Sequence, residues 1–217
     1  MTDRLSLYNG ALRLCEERRL ASLTENREPR RLLDDAWGDG STSGAVKHCL
    51  ELGQWTFATR TGRVDYDPGI APSFGYRYAF PKPDDFVRAC AVCADEFFED
   101  PLLQYRDERT VWFASIPTIY ASWVSNGATY GADMSLWPES FAKLVEAYLA
   151  NEIVRTLTQD GKVRDKVEAD LVRAKASAES LDAQNRPTAL MPVGGWVRAR
   201  HGRSNYRRSR WSGEYRG

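Results

Sequence analysis

The sequence predicts an α+β protein that is mainly α: an antiparallel helix bundle with a small inserted β region and an extended C-terminal arm. Three observations carry this expectation. Apolar residues recur at helical spacing near both ends of residues 1–186. Between Trp55 and Asn126 the pattern changes to β-branched and aromatic runs broken by Pro, Gly and Asp, which reads as short strands and loops. From Pro187 onward the chain holds seven arginines, five glycines and too few aliphatic residues to make a core of its own. The expected division is a helical body over 1–186, with its β insertion at about 55–126, and a basic arm over 187–217.

Taken in order, Leu5, Tyr8, Leu12 and Cys15 fall on one helical row and Leu7, Ala11 and Leu14 on a second, so residues 3–19 predict a helix with a wide apolar face. Such a face can touch two neighbours, which makes Leu7, Ala11 and Leu14 candidate subunit-interface residues. Pro29 suits the first turn of a second helix, buried through Leu32, Leu33, Ala36 and Trp37. The run Gly38-Asp39-Gly40-Ser41-Thr42-Ser43-Gly44 should interrupt helix, and Ala45, Val46, Cys49 and Leu50 resume it. Gly53 is placed to cap that helix in a left-handed conformation.

Strands are expected at 55–60, 86–93, 102–105, 110–114 and 118–124. Residues 118–124 are apolar on both alternating sets, so that strand should be covered on each side. Pro81 and Pro83 stiffen the approach to the strand at 86. Pro138 opens a helix with Phe141, Leu144, Val145, Tyr148 and Leu149 on one stripe, and Asp160-Gly161 ends it. A last helix is lined by Val163, Val167, Leu171, Ala174, Ala178 and Leu181, with Arg164–Glu168 and Lys166–Asp170 as i,i+4 pairs on its solvent face.

Thirty basic residues balance thirty acidic ones, which argues against a uniformly basic nucleic-acid binder. The balance is local only in appearance: residues 187–217 carry +6, leaving −6 on the body. No apolar run is long enough to span a membrane, the first residues lack the apolar stretch of a secretory signal, and four cysteines in such a chain suggest free thiols. Synthesis in the cytoplasm and no membrane partner are expected.

Catalytic patterns are weak. The only histidines are His48, inside a helical pattern, and His201, in the arm. The glycine and serine loop at 38–44 approaches a nucleophile elbow and a dinucleotide fingerprint without completing either. Cys90-Ala91-Val92-Cys93 has the spacing of a zinc or redox pair but lies in a strand pattern with no second pair, so core filling is the expected role. The carboxylates Asp95, Glu96, Glu99 and Asp100 read as a solvated loop, and Asp34-Asp35 and Asp84-Asp85 as helix surface and strand-approach turn. No catalytic residue, metal site or cofactor is expected.

The arm is the most informative segment. Trp196, Arg198, Arg200, Tyr206, Arg207, Arg208, Arg210 and Trp211 interleave aromatic and guanidinium groups, which suits docking on a protein surface. The same mixture suits phosphate contacts with base stacking, so a cytoplasmic nucleic-acid-binding protein is the alternative reading.

The order of motifs resembles the tail tubular protein A family of short-tailed bacteriophages. The resemblance covers roughly residues 3–185 and rests on Gly53-Gln54-Trp55-Thr56-Phe57, Phe80-Pro81-Lys82-Pro83-Asp84-Asp85-Phe86, Leu136-Trp137-Pro138-Glu139-Ser140-Phe141 and Tyr148-Leu149-Ala150. It implies a structural virion protein at the head-tail junction: a head-to-tail adaptor forming a homo-oligomeric ring, usually dodecameric, between the portal protein and the tail nozzle protein. Genomic DNA would pass through its channel without specific binding, and the arm residues named above would dock on the portal. The glycine-rich loop at 38–44 and the long arm depart from the family pattern.

Overall fold

A computed structural model describes residues 2–72 and 74–186. The helices are α1 (Arg4–Leu14), α2 (Glu28–Trp37), α3 (Ala45–Leu52), α4 (Glu139–Leu157) and α5 (Gly161–Asn185). The strands are β1 (Thr59–Asp65), β2 (Tyr78–Pro81), β3 (Phe86–Cys93), β4 (Tyr105–Asp107), β5 (Val111–Ala114) and β6 (Thr118–Ser125). They form two antiparallel sheets, ordered β1-β6-β3 and β2-β5-β4. With 43% of the described residues in helix and 19% in strand this is a mixed α/β fold, which corrects the expected helix bundle with a small β insertion. The physical reason is that the β region has a core of its own. Phe80, Val92, Trp112, Ala114, Ile119, Ala121 and Trp123, drawn from both sheets, bury one another in an apolar cluster separate from the helical one.

α4 is the axis of the helical half, touching α1, α2, α3 and α5. It is apolar on most of its circumference because it is surrounded: Phe141, Leu144, Val145, Leu149, Ala150, Ile153 and Val154 are all buried. α1 starts at a reciprocal cap, in which the Ser6 N–H donates to Asp3 Oδ1 at 2.8 Å and the Asp3 N–H donates to Ser6 Oγ at 3.1 Å. It stops at Leu14, short of the expected residue 19, because Glu16 turns the chain with φ 61°. The Asn9 side chain then fastens the loop that follows, accepting from the Leu20 N–H at 2.8 Å.

Two other differences have plain causes. Gly53 has φ −141°, extended and not left-handed; it is glycine because the Trp55 ring lies where a Cβ would be, 2.9 Å away. Arg88 instead satisfies the end of α3, donating to the Glu51 and Leu52 carbonyls at 3.1 and 3.3 Å. On α5 the buried slot expected for Leu181 belongs to Asp182, whose carboxylate accepts from the Thr56 N–H at 2.8 Å and from Arg186 at 3.0 Å. Leu181 faces outward. Lys166 reaches Glu16 at 2.9 Å, and Asp170 pairs with Arg173, so the expected Lys166–Asp170 pairing is replaced.

β1 begins at Thr59, after a 3-10 turn at Thr56–Ala58, and β3 matches the expected 86–93. β6 is the central strand of its sheet, and Ile119 and Ala121 to Ser125 are all buried, as expected for a strand covered on both sides.

Candidate functional site

Two of the motifs singled out in the sequence, those at 53–57 and 136–141, converge in space. Trp55, Phe57 and Trp137 surround Phe141, with ring centroids 5.1, 4.8 and 5.0 Å from it in edge-to-face geometry. Trp55 Nε1 donates to the Cys49 carbonyl at 2.9 Å and Trp137 Nε1 to the Gly131 carbonyl at 3.0 Å, so neither indole is left unpaired. The cluster locks the start of α4 to the approach of β1. In the motif at 80–86, Lys82 is 9% exposed: its Nζ lies 4.5 Å from the Phe86 ring centre and 5.5 Å from that of Trp112, and donates to Asp107 Oδ1 at 2.5 Å. Asp107 Oδ2 also accepts from Trp112 Nε1 at 3.1 Å, which ties β4 to β5.

Asp85, in the same motif, joins β3 to its sheet neighbours. It accepts from Ser125 Oγ at 2.5 Å, Arg60 Nη1 at 2.8 Å and Trp123 Nε1 at 3.4 Å. Burial alone would raise its pKa, but the hydrogen bonds from Ser125 and Arg60 outweigh burial and hold the carboxyl below the usual range. Arg60 lies over the Trp123 and Tyr130 rings and borders an open groove formed with Asp84 and Gly127 to Tyr130.

The remaining chemical candidates are held by the fold. Cys90 and Cys93 lie on β3 and burial pushes both thiols up; burial likewise raises Cys15 to about 11. A protonated thiol is a poor nucleophile. His48 stacks on Tyr148 at 4.4 Å. Asp95 accepts from the backbone N–H groups of Phe97, Glu99 and Asp100, which turns an apparent acidic cluster into a loop built around one carboxylate. Asp34 on α2 joins that helix to α1 through Arg4 at 2.7 Å and Tyr8 at 2.9 Å, and pairs with Arg30 on its own helix. Among the described residues no group of three His, Cys, Asp or Glu is placed to hold a metal ion. The loop at 38–44 closes on itself, with Gly38, Gly40 and Gly44 at φ 61°, 66° and 84°.

Of the expected docking and interface residues, only those on α1 lie among the described residues. Trp196, Arg198, Arg200, Tyr206, Arg207, Arg208, Arg210 and Trp211 lie outside the described residues. Leu7 and Ala11 are 0% exposed, packed into this chain's own core beside α4, and Leu14 is half-buried against the same core. That is a correction: the second row of α1 is consumed inside the subunit, since α1 must cover α4 on one side while α2 and the following loop cover α1 on the other.

The exposed apolar side chains lie elsewhere. Val172 and Leu181 project from α5, and Phe74, Phe97 and Leu103 from loops of the β region. Phe74 (101% exposed) and Leu103 (90%) border a groove of about 560 Å³ completed by Gly75, Tyr76, Gln104, Tyr105, Arg106 and Ser115. A sequence signal for this surface existed in Pro101-Leu102-Leu103: of two adjacent leucines in an extended segment only one can face the core, and Leu102 takes that place.

No protein-family model matches the chain, and comparison with curated proteins gives no match. No helix among the described residues is long and apolar enough to cross a membrane.

Proposed function

We propose that this protein is a structural head-to-tail adaptor of a short-tailed bacteriophage virion, forming a ring between the portal and the tail nozzle. Twelve copies, the number the family resemblance implies, would extend the DNA channel and give the tail a platform. The observation that carries this reading is the charge division, −6 on the body against +6 on residues 187–217. An acidic wall repels DNA phosphates and lets the genome slide, while a cationic, aromatic arm suits docking on an acidic partner such as a portal collar. A closed ring needs two different faces on each subunit. The apolar exposures on α5 and on the β-region loops supply two candidates on separate elements.

Removing residues 187–217 tests the arm's part in this reading. The truncated body should stay folded and fail to attach to portal rings, as read by co-sedimentation; undiminished attachment would refute portal docking by the arm. The arm's composition also favours a second reading, nucleic-acid binding. That reading predicts DNA affinity that falls steeply with salt and is lost when Arg207, Arg208 and Arg210 are replaced by Ala.

A further inference from the structure

The groove beside β4 joins apolar and aromatic side chains to the polar side chains of Gln104, Arg106 and Ser115. Phe74, Tyr76, Leu103 and Tyr105 give it apolar and aromatic sides, and its lining includes no acidic residue. β4 is an edge strand, paired only with β5 among the described strands, and a sheet edge is where an extended segment can add. A stretch of the chain itself fits this surface. The arm has two parts: Thr188–Val197 contains no charged side chain and holds Leu190, Met191, Val193, Trp196 and Val197, whereas all seven arm arginines follow it, beginning at Arg198.

We infer that the groove formed by Phe74, Tyr76, Leu103 and Tyr105 receives the uncharged stretch Thr188–Val197 from the arm of a second copy of this chain. Three observations select this occupant. The one charged side chain in the groove lining, Arg106, already pairs with Glu108 at 3.4 Å, so the lining offers an arginine run no carboxylate of its own, whereas the uncharged stretch brings apolar side chains that cover Phe74 and Leu103. Pro192 lacks an N–H donor, and an edge strand is where proline is tolerated. The order of charges also matches: once Val197 is seated, Arg198, Arg200 and Arg203 follow, and the loop leading through Pro101 to Leu103 exposes Glu96, Glu99 and Asp100. An arm and a groove are two unlike surfaces, the donor and acceptor that a head-to-tail contact requires. The inference rests on the ring reading in that one respect, and it leaves the arginine-rich end of the arm free to reach a further partner.

The test is disulfide trapping between full-length copies, one carrying Gln104→Cys in the groove and the other Gly195→Cys beside Trp196. The native thiols are at least half-buried and raised in pKa, so they stay silent under mild oxidation. The mixed disulfide should form about tenfold or more faster than for a control pair of Glu168→Cys on exposed α5 with Gly195→Cys, because docking raises the effective thiol concentration. Adding Leu103→Asp to the groove copy should return the rate to the control value. In a single chain carrying both cysteines the trapping rate should fall on dilution. A rate equal to the control, or closure within one chain that ignores dilution, overturns the inference. No portal is present in this experiment, so its outcome is separate from that of portal attachment.

Discussion

Replacing Asp85 by Ala tests whether a hydrogen-bonded carboxylate, and not its ion pair, holds β3 to β6. The carboxylate accepts from Ser125, which is fully buried, and from the indole of Trp123, also buried; its third donor, Arg60, has a side chain 45% exposed. Each buried donor left without a partner costs about 1–3 kcal/mol, so the two together give an expected loss of about 3 kcal/mol. Arg60→Ala removes the half-exposed ion-pair partner, worth at most about 1 kcal/mol, and the exposed stacking on Trp123 and Tyr130, worth about 0.5–1 kcal/mol. Equilibrium urea unfolding followed by tryptophan fluorescence measures both. Because Asp85 is held below the ordinary carboxyl range, its contribution is complete above the unfolded value and is lost as pH falls through the folded one. The gap between the parent protein and Asp85→Ala should therefore close as the pH is lowered below about 4. An Asp85→Ala loss no larger than that of Arg60→Ala, or a gap that persists in acid, would refute the reasoning.

Asp182→Ala should destabilise the chain by about 1–3 kcal/mol in the same assay, since it strips the Thr56 N–H of its acceptor and frees the end of α5. Gly44→Ala should cost more than about 1 kcal/mol, because φ is 84° and a Cβ there would run into the Trp37 carbonyl. Burial raises the Glu146 pKa and Arg13 and Lys143 only partly offset it, so folding favours the neutral acid. That contribution is present below the unfolded value and lost as pH rises through the folded one; Glu146→Gln should thus raise the thermal midpoint at neutral pH and give no gain below about pH 4. Iodoacetamide should modify Cys15 and Cys49 in the native chain only on the timescale of unfolding, as read by mass spectrometry with and without urea.

The helices were legible because their burial is periodic: α2, α3 and α4 lie where Leu33, Cys49 and Phe141 set the pattern. β3 and β6 were legible for the same reason at the shorter period. β2 was missed, since Tyr78–Pro81 ends in a proline that reads as a turn yet sits on a sheet edge, where a missing N–H costs no ladder bond. The size of the β region's own core depends on pairing between segments far apart in sequence, such as Phe80 with Trp112, which no local pattern contains. α1 shows the same limit. Its two apolar rows were read correctly as a wide face, but whether this chain's own core or another subunit covers the second row is decided by tertiary packing. Asp182 was hidden because a buried carboxylate is placed by the Thr56 N–H that it satisfies, a partner from the start of the β region.

Immunogold labelling of mature phage particles with an antibody against the body tests the adaptor reading most directly. The account predicts label confined to the neck between capsid and tail, present in particles that have completed portal closure. Particles that carry no label, or label distributed over the capsid or tail tip, would contradict it.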